Sequence, residues 1–339
     1  MGWFFGGVFI LMAPIFGYII ITLFDLVVGE SNEKLPSTKD GIFKYKIILF
    51  IWPFVQFFLL FGSIWVISFL DHLSYIEAIG LMMVQGMITG AVGITFAHEL
   101  MHRNTKLERF LADLLMGMAV YGHFRTEHIL VHHRFVGTKK DAVTARFNES
   151  FYSFFLRVIP ACFISAWNVE KNRLAMKNRK VFSHLNPFLI YFLTSFVFLY
   201  ISFTIGGYLG IAFFLIQAFV AILHLEVINY IEHYGLVRQK KGDKYEPTRP
   251  HHSWNANHKA SNLLLINLQK HSDHHAKPNR EYPLLDAHDQ ASAPQLPHGY
   301  PVMVCLSLIP FLWRKIMNPK VLVWRNQFYP SCDQWDSLK

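Results

Sequence analysis

Long apolar runs without a formal charge alternate with short polar connections in the first part of the chain. They cover residues 3–24, 47–70 and 78–97, and each run has 20 residues or more. At 1.5 Å per residue, a helix of that length crosses the roughly 30 Å hydrocarbon layer of a bilayer. The pattern therefore predicts three membrane-spanning helices.

Two more apolar runs, residues 187–205 and 208–230, are separated only by Gly206-Gly207. Because glycines permit the backbone conformations of a tight reversal, the two runs predict a helical hairpin. Residues 110–121 and 151–167 predict interfacial or re-entrant helices, since the first run is short and the second contains Arg157 and Pro160. The alternative is that one of these two segments spans the membrane.

The pattern as a whole predicts an all-α, polytopic membrane protein with about five transmembrane helices. No internal repeat or low-complexity tract divides the sequence, so residues 1–339 are predicted to form a single membrane-embedded domain. A secretory signal is not expected, because the first apolar run lacks a preceding basic segment and is too long.

Composition narrows the class of protein further. Charged residues make up 16% of the chain, against roughly 25% in soluble domains, and 53% of residues are hydrophobic. Disordered, collagen-like and disulfide-scaffold proteins are excluded. The three cysteines, Cys162, Cys305 and Cys332, are too few and too scattered for a CxxC site. A bound metal would therefore depend on the 18 histidines.

Lysine and arginine are sorted by position. Four lie between Lys34 and Lys46, fourteen between Arg103 and Lys180 and fourteen between Arg238 and Lys339, which accounts for all 32. Positively charged loops stay on the cytoplasmic side during insertion. If the five predicted helices cross the membrane in alternating directions, all these segments lie on the cytoplasmic side and the N-terminus lies outside.

Four histidine groups fall on that same predicted side. HELMH and EHILVHH each contain histidines four residues apart, which share one face of an α-helix. HSDHH and the lone histidine of NYIEHYG follow later in the chain. The predicted metal ligands are His98, His102, His128, His132, His133, His233, His271, His274 and His275.

Nine imidazoles are too many for one ion, so the spacing predicts a two-metal centre. A lone histidine more often satisfies a carbonyl, but nine with ligand spacing at one face indicate a site. Imidazole suits zinc, copper, iron and nickel, so ligand type leaves the metal open. Two other classes remain open: an intramembrane zinc metalloprotease, from the HExxH pattern, and a histidine-rich metal permease.

Acidic and amide side chains near the ligands are candidates to orient the imidazole rings from behind. An intramembrane carboxylate is functional by default, which singles out Glu226. His251, His252 and His258 lie off the ligand spacing and are further candidates to support the site. The remaining candidates for this role are Glu99, Glu127, Asn229, Glu232 and Asp273.

These motifs resemble the integral-membrane alkane 1-monooxygenases, relatives of xylene monooxygenase and of the membrane fatty-acid desaturases and hydroxylases. HELMHR, EHILVHH, NYIEHYGLVRQK, HHSWNANH and LQKHSDHHA occur in that family's order, and LPHGYPVMVCLSLIPFLW extends the likeness. HELMHR is also similar to the xylene type. The family is usually described with six spanning helices, one more than counted here.

The resemblance implies two iron ions bound by the nine histidines. It implies hydroxylation of the terminal methyl of medium- or long-chain n-alkanes, with O2 as co-substrate and electrons from rubredoxin. Since this chain has no rubredoxin-like CxxC pair, the donor is expected to be a separate chain reduced by an NAD(P)H-dependent reductase. Xylene-type methyl hydroxylation and lipid desaturation are the alternatives.

The expected location is the bacterial inner membrane, with the site facing the cytoplasm. An apolar substrate would then arrive from the bilayer, and no nucleic-acid partner is expected. The lysines and arginines on the predicted cytoplasmic side have two explanations. They could bind an acidic electron donor, or they could reflect only the positive-inside rule and anionic lipid. No substrate-binding residue is assigned.

Overall fold

The computed structural model describes residues 1–31 and 39–332, and these are almost entirely helical. The elements in chain order are α1 (Gly7–Val28), α2 (Lys39–Phe69), α3 (Tyr75–Met101), α4 (Lys106–Met118), α5 (Phe124–Glu127, continued by His128–His132 and His133–Phe135), α6 (Phe151–Ala175), α7 (Phe188–His233), β1 (Lys240–Lys241), β2 (Lys244–Tyr245), α8 (Lys259–Leu264), α9 (His271–Ala276), α10 (Tyr300–Ser307) and α11 (Pro310–Phe328). Single helical turns lie at Gly2–Phe5, Pro250–His252 and Tyr282–Leu284. The two strands pair antiparallel.

Five helices in the described part of the chain are long and apolar enough to cross a membrane: α1, α2, α3, α6 and α7. The predicted all-α, polytopic class is confirmed. Helix α7 has 46 residues, about 69 Å at 1.5 Å per residue, more than twice the hydrocarbon thickness. Its backbone is non-helical at Gly206 and Gly207, where φ is −128° and +58°. The predicted helix pair separated by these glycines is therefore confirmed.

The two segments predicted to be interfacial are both helical. Helix α4 has 13 residues, too short to span, and Thr105 caps it by accepting a hydrogen bond from the Glu108 amide at 3.2 Å. Helix α6 has 25 residues, longer than the predicted run. Its length and composition also suit a span, so its interfacial position stays a prediction.

The chain forms two compact units. Unit 1 comprises Met1–Ile21, Pro36–Arg125 and Glu170–Leu225, and unit 2 comprises Thr22–Leu35, Thr126–Val169 and Glu226–Lys339. The single domain predicted for residues 1–339 stays a prediction.

Glycines on α3 allow close helix packing within unit 1. A Cβ atom at Gly86 would lie 2.5 Å from the Gln217 carbonyl oxygen, and one at Gly90 would lie 2.5 Å from the His224 Cβ. Both neighbours belong to the second arm of α7. Small residues four apart let helix backbones approach, which is how helices pack where lipid removes the hydrophobic driving force.

Large aromatic side chains form the interior of unit 2. Tyr230, on the last turn of α7, and Tyr234, just after it, contact the Trp313 ring with centroids 5.2 and 5.3 Å apart. The Tyr230 hydroxyl donates to the Glu149 carbonyl at 2.7 Å. These contacts fix the end of α7, which carries His233, against α11 and the loop before α6.

Candidate metal centre

Four buried imidazoles converge within unit 2. His132, His233, His271 and His275 each offer a ring nitrogen, and these atoms lie within 4.8 Å of one another. The Nε2 atoms of His132 and His275 are 3.2 Å apart, those of His271 and His233 are 3.2 Å apart, and those of His275 and His271 are 2.9 Å apart. We call these residues the four-histidine group.

Three other histidines of unit 2 form a second convergence. The His133 Nε2 lies 3.0 Å from that of His128 and 3.1 Å from that of His274. We call His128, His133 and His274 the three-histidine group. Unit 2 thus divides seven of the nine predicted ligands into two sets.

A π-helical turn explains how neighbouring histidines separate. In His128–His132 the backbone bonds span five residues, and the His133 amide donates to the His128 carbonyl. Residues five apart therefore share a face, which pairs His128 with His133 and turns His132 to the other group. In α9 the usual four-residue step pairs His271 with His275, and His274 faces the three-histidine group.

The remaining predicted ligands, His98 and His102, lie in unit 1 at the end of α3. Both are at most 9% exposed, and their ring centroids are 5.1 Å apart. Glu99 between them forms a buried ion pair with Arg103, with 2.9 Å between its Oε1 and the arginine Nη2. A metalloprotease needs this glutamate as general base, so the ion pair disfavours that alternative.

Asp141 supports the four-histidine group from behind, a residue that the sequence did not single out. Its Oδ2 lies 3.0 Å from His132 Nδ1, and the side chain also accepts bonds from the Val143 amide and the Thr144 hydroxyl. A carboxylate at Nδ1 leaves the Nε2 lone pair for a metal. No ligand spacing marks Asp141, which follows His132 by nine residues in a loop.

Glu232 contacts another member of the same group, His271. Its Oε2 lies 3.3 Å from the His271 Nε2, and its Oε1 accepts a 2.7 Å hydrogen bond from the Tyr300 hydroxyl. The carboxylate thus faces the nitrogen that would bind metal. Tyr300 was also missed by sequence reasoning, although it lies in the HGYP segment of the resemblance.

The other predicted supporting residues have varied surroundings. Glu226 accepts a 3.1 Å hydrogen bond from Asn229, as their shared helix face suggested. Glu127 is fully buried, and neither carboxylate oxygen has a hydrogen-bond partner among the described residues. Asp273 instead bonds Arg280 at 2.7 Å and the Asp286 amide at 3.0 Å, which fixes the loop after α9.

The HHSWNANH block braces the site rather than extending it. The Trp254 amide donates to the Glu232 carbonyl, and Asn255 Oδ1 accepts from the Ser272 amide, each at 2.9 Å. The block thereby links the end of α7 to α9. His251 and His252 point their Nε2 atoms at the Tyr329 hydroxyl, at 3.3 and 2.7 Å. His258 pairs through its backbone with Glu30.

Burial sets the protonation of the site. It lowers the pKa of His275 well below the usual value, and the neighbouring imidazoles lower it further. Burial raises the pKa of Glu127 well above its ordinary range, with Asp141 and Glu226 adding to the effect. A neutral imidazole is the form that binds a metal, so His275 is held ready for that role.

The fold and the site together define a class: an α-helical membrane protein whose buried histidines converge in groups suited to metal ions. Comparison with known proteins narrows this class, because residues 73–307 match the fatty acid desaturase family.

Alkane 1-monooxygenase 1 of Pseudomonas aeruginosa is 44% identical over 249 residues, which cover 73% of this chain and 65% of that protein. Alkane 1-monooxygenase 2 of the same organism is 36% identical over 92% of this chain and 83% of its own length. The xylene/toluene monooxygenase hydroxylase component XylM of Pseudomonas putida is 28% identical over 75% of this chain and 67% of its own length. The chain belongs to the alkane 1-monooxygenase family.

Proposed function

We propose that this protein is a di-iron monooxygenase that converts medium- or long-chain n-alkanes to 1-alkanols with O2 and electrons from rubredoxin. The observation that carries the proposal is the convergence of seven histidines of unit 2 in two groups. Higher identity to alkane hydroxylases than to XylM favours an alkane over an aromatic substrate.

The four-histidine group would hold one iron, and the three-histidine group the other. We propose that His98 and His102 complete the second set, because three imidazoles leave positions for further ligands and the HELMH spacing presents two on one helix face. Their burial at the end of α3 suits that role.

The spacing of the nitrogens agrees with metal binding. Two nitrogens bound at about 2.1 Å to one ion lie about 3.0 Å apart at a right angle and about 3.4 Å apart at a tetrahedral angle. The distances of 2.9–3.2 Å are therefore those expected between ligands of one metal ion. Family membership then favours iron among the metals that imidazole binds.

When bound, an iron pair supplies the reductive activation of dioxygen, which no side chain of the chain provides. The protein's own groups prepare that chemistry. Asp141 accepts from His132 Nδ1–H and so fixes the ring orientation and tautomer. Tyr300 holds Glu232 against His271. Burial of the four-histidine group, whose members are at most 4% exposed, excludes water.

We propose that the substrate reaches the site from the lipid. Helices α1 and α7 expose large apolar side chains, among them Leu26 (75%), Phe196 (66%) and Phe219 (56%), as lipid-facing helices do. An alkane would bind by burial at about 25 cal/mol per Å², without directional contacts. The carbon that is hydroxylated would then be the one that reaches the metal pair.

The site is proposed to face the cytoplasm, and α6 to lie at the membrane interface. His132 precedes α6 and His233 ends α7, yet their rings are 4.6 Å apart. If α6 spanned as well as both arms of α7, three crossings would separate these residues across the bilayer. An interfacial α6 leaves two crossings and agrees with the positive-inside rule.

The test is product analysis with the purified protein in lipid nanodiscs, loaded with iron and supplied with rubredoxin, its reductase and NADH. Octane and hexadecane are expected to give 1-alkanols. H233A is expected to give none, and H184A, which alters an exposed histidine, is expected to match wild type. Benzylic alcohol from xylene, or an unsaturated acyl chain, as the main product would contradict the proposal.

A further inference from the structure

A cavity in unit 2 is lined largely by cations. It has a volume of about 540 Å³ and lies between the loop that follows α5, one face of α6 and residues 235–237. Five lysine and arginine side chains line it, whereas Asp141 is the one acidic lining residue. The cationic residues are Lys139, Lys140, Arg146, Arg157 and Arg325.

Two kinds of cation form this wall. Arg157 is held in place by two 2.9 Å bonds to Glu149 and one of 2.7 Å to the Ala142 carbonyl. Lys139, Lys140 and Arg146 are exposed, with Lys140 Nζ 5.4 Å from the centroid of the Phe135 ring, and their charges face solvent. The surface is therefore complementary to an anionic partner.

The cavity and the most exposed apolar residue of α6, Leu156, lie on different faces of the helix. Arg157, Ala161 and Ser165 line the cavity at four-residue intervals. At 100° per residue, Leu156 and Phe163 lie roughly 140–160° from the middle of that face, where they are 76% and 39% exposed, whereas Ile164, 57% exposed, lies at its edge. If the side with Leu156 and Phe163 meets lipid, the cavity lies away from the centre of the lipid-facing surface, and its exposed cations favour a soluble anionic partner.

One residue of the cavity wall also contacts a proposed metal ligand. Asp141 lines the cavity and bonds His132 Nδ1 at 3.0 Å. The His132 Nε2 belongs to the four-histidine group. One carboxylate and one imidazole thus connect the cavity with the proposed metal site, and a short bonded route of this kind favours electron transfer.

We propose that this cavity is the docking site of a small acidic electron-transfer protein, and that Asp141 and His132 form the route by which its electrons reach the metal pair. The inference rests on the proposed function. At each docking the donor would give one electron to the metal pair held by the histidines. Two dockings, with two protons from water, balance the conversion of alkane and O2 to alkanol and water.

The test uses the iron-loaded full chain in nanodiscs and reduced rubredoxin as the probe. In the first variant, Lys139, Lys140 and Arg146 are all replaced by Glu. In the matched control, Lys177, Arg179 and Lys180, which are exposed beyond α6, are replaced by Glu, so that the net charge changes equally. Stopped-flow oxidation of rubredoxin is measured from low to high ionic strength, and iron content is measured in parallel.

We expect the second-order rate constant to fall at least tenfold in the first variant, to lose most of its salt dependence, and to change less than twofold in the control. Iron content should stay at the wild-type level in both variants. An unchanged rate in the first variant, or an equal fall in the control, would overturn the docking site.

Repeating the measurement in phosphatidylcholine and phosphatidylglycerol nanodiscs separates a lipid site from protein docking. A defect in both lipids supports docking, whereas a defect only with the anionic lipid overturns it. If wild-type protein binds iron and hydroxylates octane, the proposed function holds whatever the docking result. If wild type does neither, the proposed function itself fails.

Discussion

His132 and His133 are neighbours in sequence but belong to different histidine groups. The π-helical turn of α5 pairs His133 with His128 and sends His132 toward His275. A regular α-helix would put His128 and His132 on the same face instead. This local backbone change is therefore what allows one sequence motif to contribute to both histidine groups.

We predict that H132A and H133A each weaken one metal site and leave the other intact. Each variant should retain about one tightly bound iron of two, and the double variant should retain none. Iron titration with a chelator competitor measures this, with H184A as the control for an exposed histidine. If both variants lost the same iron, His132 and His133 would belong to one metal site, which would contradict their assignment to different groups.

We predict that D141N lowers iron affinity roughly 10- to 100-fold, because partners behind a ligating histidine typically have effects of this size. Asn keeps the shape of the side chain but removes the negative charge that faces His132 Nδ1. The same titration measures the effect, and D243N, at an exposed aspartate, is the control. Equal affinity in D141N and wild type would show that Asp141 does not support the site.

Sequence could single out eight of the nine proposed ligands by their local spacing, whereas the lone His233 stood out by its place at the end of a predicted helix and in the NYIEHYG motif. It could not indicate Asp141 or Tyr300, since their role arises only when distant segments meet. Nor could the sequence assign the histidines to the two groups, because the EHILVHH motif does not indicate a π-helical turn. Asp273 shows the opposite error: it lies beside two ligands in sequence, yet it bonds Arg280.

At the scale of elements, hydrophobic runs predicted the positions of the long helices well and those of the short helices poorly. Charge-free length predicts α1, α2 and α3, and the glycine pair predicts the break in α7. The extent of α6 was underestimated, because its polar last turns, which include Arg173, continue the helix beyond the apolar run. Residues 32–38 and 333–339 lie outside the described part, so Lys34 and Lys339 of the charge argument lie there.

We predict that G86A destabilises the protein, because the new Cβ would lie 2.5 Å from the Gln217 carbonyl oxygen, a backbone atom that cannot turn aside. Overpacking of this kind costs about 1–3 kcal/mol. Thermal unfolding in detergent should show a lower midpoint for G86A than for G17A, where a Cβ meets no atom within 4 Å. Equal midpoints would show that the two helices can separate without cost.

At the scale of the whole molecule, the proposed topology rests on charge sorting together with the meeting of His132 and His233. We predict that Y208C, at the exposed α7 turn, reacts with an impermeant thiol reagent from outside the cell. K180C, in the loop before α7, should react only after the membrane is opened. Both variants are made without the three native cysteines. Labelling of both positions from the same side would reject the topology.

Counting and characterising the bound metal tests the central claim most directly. Iron analysis with X-ray absorption on fully loaded wild-type protein should give two ions per chain, with ligand shells dominated by imidazole nitrogen at about 2.1 Å. No more than one ion at saturation, or shells built mainly from sulfur or carboxylate oxygen, would contradict a metal pair held by these histidines.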